Sequence, residues 1–99
     1  MDVKLVNRGA EGELILTGDL DTRTARDADQ LFAQLVPRFT TITLNMQGLN
    51  YISSAGIRTI RNLYLLMMKK SGKLGVTNVN ANVMEVFEMT GLAGLLNIR

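Results

Sequence analysis

Apolar and polar positions change their period several times along the chain, and each change marks an element. Val3 to Asn7 and Glu13 to Thr17 have strand character, and between them lies Arg8-Gly9-Ala10-Glu11-Gly12, a glycine-bounded segment of the kind that joins hairpins. Gly18-Asp19-Leu20-Asp21 breaks that pattern. Ala28, Leu31, Phe32 and Leu35 then recur at spacings of three and four, which predicts a helix capped by Thr22 or Thr24 and stopped by Pro37. Thr40 to Met46, Thr-Thr-Ile-Thr-Leu-Asn-Met, alternates polar with apolar and is rich in β-branched residues, as a central strand with one buried face is. Gln47 to Ile52 reads as a short connection.

A second helix follows Ser53-Ser54-Ala55-Gly56. Ile57, Ile60, Tyr64 and Met67 repeat on one side, while Arg58, Thr59, Arg61 and Asn62 face the other way. Serines cap its start, and Lys69-Lys70-Ser71-Gly72 ends it with cations that suit the C-terminal dipole and a glycine that stops the helix. The stripe, with Met67-Met68, is expected to be core. Lys73 to Val79 reads as a strand and Val83 to Met89 as a short helix closed by Thr90-Gly91. Leu95 to Ile98 is either a last strand or a helical turn.

This order predicts one α/β domain over residues 1–99, a mixed β-sheet with packed helices. Crossovers from Glu13 to Met46 and from Thr40 to Val79 make part of the sheet parallel and right-handed. Ligands of open α/β sheets sit beyond the carboxyl ends of strands, and Ser53 and Ser54 lie in such a connection.

Composition removes whole classes of chemistry. The 99 residues hold no cysteine and no histidine, which excludes disulfides, thiolate or imidazole metal ligands and serine–histidine triads. No metal site or cofactor is expected. The longest apolar run, Leu63 to Met68, is far below the ~20 residues of a membrane span. Met1 to Gly18 shows no secretory signal, so a cytoplasmic protein without membrane insertion is expected. Net charge is +2 with dispersed basic residues, which gives little support to nucleic-acid binding. The distribution of charge says more. From Gln30 to Met84 there are six basic residues and no acid, a positively biased stretch that either solubilises helix faces or serves as a binding patch.

A helix N-terminus leaves amides unpaired and carries roughly half a positive charge, so a phosphate is stabilised there. Ser53-Ser54 can therefore be a plain cap, a regulatory phosphoserine, or both, with Ser53 capping and Ser54 exposed. Small residues at Ala55 and Gly56 allow a close approach to the backbone. A nucleotide-binding role lacks a glycine-rich phosphate loop with lysine.

The whole chain resembles the STAS domains, and specifically the small bacterial anti-sigma factor antagonists. Gly18-Asp19-Leu20-Asp21 with Thr24-Ala25 is similar to the family's Gly-Glu-Leu-Asp and Thr-Ala before the first helix. Leu44-Asn45-Met46 with Gly48-Leu49 resembles the strand and turn before the site. Tyr51 to Arg58 resembles the phosphorylation segment, and Val86-Phe87-Glu88-Met89-Thr90-Gly91-Leu92 the late helix and its ending. Aligned on Gly56, Ser54 stands at the family's phosphorylated serine. Ser53 replaces the aspartate before it, and Ala55 the second hydroxyl residue.

The resemblance implies a switch in partner choice and no catalysis by this chain. Unphosphorylated, the protein binds an anti-sigma factor that is itself an ATP-dependent serine kinase, and so releases a sigma factor. Phosphorylated by that kinase on Ser54 it lets go, and a metal-dependent serine phosphatase resets it. Partner-binding residues are expected among Asp19, Asp21, Thr22 and Arg23, which are alternatively turn and helix-start residues. They are also expected among Ser53, Ser54, Ala55, Gly56, Arg58 and Arg61, the arginines being alternatively solvated. A stand-alone subunit of a membrane lipid-transport complex is the alternative role that the resemblance allows.

Overall fold

Two strands open the chain as a hairpin because Gly9 can take the left-handed turn conformation between them, with φ 73°. A computed structural model describes residues 1–99. β1 (Asp2–Arg8) pairs antiparallel with β2 (Glu11–Leu20), and the Asn7 side-chain oxygen accepts the Gly9 amide at 3.1 Å. Helix α1 (Ala25–Leu35) passes through a 3₁₀ turn at Val36–Arg38, where Pro37 ends the α-helical ladder. Then come β3 (Thr41–Ile52), α2 (Ser54–Lys69), β4 (Lys73–Thr77) and α3 (Ala81–Met89). Gly91, with φ 77°, leads into a 3₁₀ turn at Leu92–Gly94, and a two-residue strand, β5 (Asn97–Ile98), closes the sheet.

The strand order is β1-β2-β3-β4-β5, and every pair after the hairpin is parallel. Each new strand is added on the same side of the last, so right-handed crossovers put all three helices on one face. A single core cluster accordingly joins Phe32 of α1, Ile60 of α2 and Phe87 of α3 to Leu14, Leu44 and Val76 of the sheet. The other face is polar. There Asn45 donates to Glu13 at 3.1 Å, Asn78 donates to Asn45 at 3.0 Å, and Arg8 pairs with Glu13 at 2.8 Å. This face accounts for the Thr-Ile-Thr-Leu-Asn-Met alternation of β3.

Both middle strands outrun their sequence pattern. β2 continues through Gly18-Asp19-Leu20, which the pattern reads as a break, and β3 continues through Gln47 to Ile52, which it reads as a connection. The pairing explains the misreading. Ile15 faces Asn45 but Thr17 faces Gly48, and Gly18 faces Leu49 but Asp19 faces Tyr51, so β3 carries one extra residue at each of two bulges. Buried positions in β3 fall at Ile42, Leu44, Met46, Leu49 and Ile52, and the step lengthens from two to three where the bulges sit.

In α2 the buried positions are Gly56, Thr59, Ile60, Leu63 and Met67. Thr59, expected to face outward, is buried with its hydroxyl donating to the Ala25 carbonyl at 3.5 Å, because this side of α2 packs on α1. Ile57 and Tyr64 flank the stripe, half-buried. Met68 is exposed, whereas Met67 is core.

Candidate functional site

The carboxyl ends of β2 and β3 lie side by side, Leu20 opposite Ile52, and each runs directly into the segment before a helix. The Ser53 amide donates to the Leu20 carbonyl at 3.0 Å, which ties the start of α2 to the end of β2. Ser53 is extended (φ −96°, ψ 177°), and its hydroxyl accepts the Gly56 amide at 3.3 Å. That is an N-cap. Ser54, the first residue of α2, is exposed.

Gly56 shows what its missing side chain is for. A Cβ there would lie 2.5 Å from the Leu20 carbonyl oxygen and 2.7 Å from Ile52. The group that approaches the small-residue segment is therefore the protein's own β2 backbone, and only glycine lets α2 begin this close to the sheet. Ala55, half-buried, leaves the surface beside Ser54 flat.

The facing rim is built by Asp21. Its carboxylate accepts the amides of Arg23 at 2.9 Å and Thr24 at 3.3 Å, and the Thr24 hydroxyl accepts the Asp21 amide at 3.0 Å. This reciprocal arrangement does the work of a capping box. Thr24 stands at the N-cap position of α1, but its side chain caps no helix amide, and Thr22 is an exposed turn residue. The Arg23 guanidinium, 3.1 Å away, is the main reason the Asp21 carboxyl is held below the usual carboxylate range. Asp21 thus has a structural occupation. Asp19, opposite Tyr51 at the second bulge, and Arg23, exposed, keep side-chain capacity toward solvent.

Arg58 and Arg61 are both exposed. They lie four and seven residues after Ser54, so all three share one face of α2. Of the remaining basic residues, Lys70 is engaged within the chain, its ammonium donating to the carbonyls of Val36 and Phe39. Arg38, Lys69 and Lys73 are exposed as well, and of the six basic residues from Gln30 to Met84 it is Arg58 and Arg61 that lie on the Ser54 face of α2.

Two residues join this edge that the sequence pattern did not single out. Tyr51, just before the site, is 55% exposed, an aromatic ring displayed on the bulged end of β3. Asn80 caps α3, its side-chain oxygen accepting from Val83 at 2.8 Å while its amide donates to the Leu49 carbonyl at 2.9 Å. An asparagine just ahead of an apolar helical segment was the available signal for Asn80. For Tyr51 the signal was a lone aromatic in a polar connection.

A family model described as Mlab, STAS domain matches residues 3–97. An anti-sigma F factor antagonist of Paenibacillus polymyxa is 28% identical over 102 residues, covering 99% of this chain and 87% of that protein. Among solved structures, an anti-sigma factor antagonist of Mycobacterium paratuberculosis has a TM-score of 0.87 at 16% identity, covering 98% of this chain and 83% of its own. The Bacillus cell fate determinant SpoIIAA in its phosphorylated form has a TM-score of 0.79 at 18% identity, covering 99% and 91%. At these identities the two structures show the fold.

Proposed function

The chain belongs to the STAS domain family, and from that premise we propose that it is an anti-sigma factor antagonist whose hold on its partner is switched by phosphorylation of Ser54. The observation that carries this reading is the division of labour at the start of α2, where Ser53 is occupied as the cap and Ser54 is exposed. The partner is an anti-sigma factor that is also a serine kinase using ATP, and a metal-dependent serine phosphatase reverses the modification. The protein acts in the cytoplasm and contributes no catalytic group. Among its helices none is long and apolar enough to cross a membrane.

The unphosphorylated edge offers a partner Tyr51, Ala55, Arg58 and Arg61 from β3 and α2, with Asp19, Thr22 and Arg23 on the facing rim. Tyrosine and arginine are the residue types that most often anchor interfaces. A phosphate on Ser54 acts on this surface in two ways. It adds about −1.5 to −2 of charge where a partner must be desolvated, and it sits four residues before Arg58, in reach to pair with that guanidinium and withdraw it from the partner. The free domain tolerates the same group, because the first amides of α2 have no intrahelical acceptors and favour an anion.

Incubation with the cognate kinase and ATP should add one phosphate at Ser54, and none in Ser54→Ala. Ser53→Ala should still be labelled. A pull-down with unphosphorylated protein should retain the kinase. Labelling that maps to Ser53, or capture of a membrane transport subunit in place of a kinase, would overturn the reading.

A further inference from the structure

Helix α2 carries a second apolar stripe on its outer side. Leu65 is 55% exposed and Leu66 40%, and with Asn62 and Lys69 they follow the three-and-four spacing of one helix face. Together with Asp29 of α1 they line an open groove of about 450 Å³ between the two helices. Leu63 to Met68 is the longest apolar run in the chain, yet only Leu63 and Met67 enter the core as fully buried residues. Two bulky leucines exposed on one helix face beside an open groove form an apolar surface suited to a contact.

The charges beside the leucines say what covers it. The ion pairs within the molecule are Arg8–Glu13 and Arg23–Asp21, so Asp29 and Lys69 are both unpaired although they line the same groove. One acid on α1 and one base on α2, with leucines in the same groove, is a self-complementary pattern. We propose that this groove is the interface of a homodimer, in which a two-fold axis through Leu65 and Leu66 sets each Lys69 against Asp29 of the partner subunit. An acidic helix or an anionic membrane would meet Lys69 favourably but Asp29 unfavourably, and a second copy satisfies both.

The size of the patch sets the strength. A stable interface buries roughly 800 Å² per partner, about one seventh of the 5641 Å² surface of this domain. The groove is lined by five residues, against roughly 20 to 30 a side in a standard interface, so the dimer is weak and depends on concentration. Its centre lies about 17 Å along α2 from Ser54, at 1.5 Å per residue. Arg61, four residues before Leu65, borders the groove without lining it, and the dimer proposal does not rest on the phosphorylation reading.

Sedimentation across a concentration series measures self-association, with circular dichroism confirming that each variant is folded. The wild type should show a reversible monomer–dimer equilibrium, and Leu65→Lys should be monomeric. Asp29→Lys alone and Lys69→Asp alone each create two like-charge contacts per dimer and should weaken association roughly ten-fold or more. Mixing those two variants should restore it, because one then carries lysine at both positions and the other aspartate at both, so that each of the two contacts pairs opposite charges. A wild type that stays monomeric at millimolar concentration, a dimer indifferent to these substitutions, or a mixture no tighter than its components would each overturn the proposal.

Discussion

Ser53, Ser54 and Gly56 each have a different occupation, and single substitutions should separate them. Ser53→Ala removes the cap hydrogen bond to Gly56 and should cost about 1 kcal/mol in denaturant melts while leaving phosphorylation intact. Ser54→Ala removes an exposed hydroxyl and should change stability by less than about 0.5 kcal/mol while abolishing labelling. Gly56→Ala forces a methyl group against the Leu20 carbonyl and Ile52, so α2 must shift, at about 1 to 3 kcal/mol. Across the site, the Asp21 carboxyl titrates below its unfolded value, held down chiefly by the Arg23 guanidinium and also by backbone amides. A carboxyl with a lowered folded pKa stabilises fully above its unfolded pKa, near 3.9, and loses that contribution as pH falls through the folded value. Urea melts should therefore show no loss from Asp21 between pH 7 and pH 5 and a loss below about pH 4, and Asp21→Asn should flatten that acid limb. Unchanged acid sensitivity in the variant would remove Asp21 from its role at the start of α1.

At the scale of elements, α2 both packs into the core and carries the proposed switch. Ile60 is completely buried in the cluster that joins the helices to the sheet, and Ile60→Ala should cost about 2 to 5 kcal/mol, read as a lower thermal midpoint. A variant that melts normally but fails to bind would instead make Ile60 part of an interface. Where period was regular, sequence and structure agree: Ala28, Phe32 and Leu35 of α1 and the alternation of Ile42, Leu44 and Met46 are all buried. Where pairing changes the period, local pattern misleads. The bulges stretch β3 from steps of two to steps of three, and Gly48 imitates a turn inside what is a strand. Thr59 was hidden for another reason: a hydroxyl on a polar-looking face is buried only because α1 supplies the Ala25 carbonyl. The Ser53–Gly56 segment was legible as a cap with close approach, but that Leu20 is what approaches depends on the register of two strands, which no local spacing encodes.

On the scale of the whole molecule, the one-sided sheet forms a base with the proposed switch at one edge. All three helices lean on one face, and the ends of β2 and β3 set Asp19, Tyr51 and the start of α2 side by side at one edge. On the proposed reading, phosphorylation changes that surface and leaves the fold in place. A phosphate at the N-terminus of α2 is worth about 0.3 to 1 kcal/mol in favour of the free domain, so its thermal midpoint should hold or rise slightly. In the proposed complex the same charge would be buried against the partner, and a loss of ~3 kcal/mol there weakens affinity about 100-fold. Ser54→Asp, with less charge and a shorter reach, should have a smaller effect. The most direct measurement is a calorimetric titration of the anti-sigma factor with the same preparation before and after stoichiometric phosphorylation of Ser54. An affinity lower by about two orders of magnitude after phosphorylation, in a domain that still melts cooperatively at or above its original temperature, is the predicted result; equal affinity before and after would contradict it.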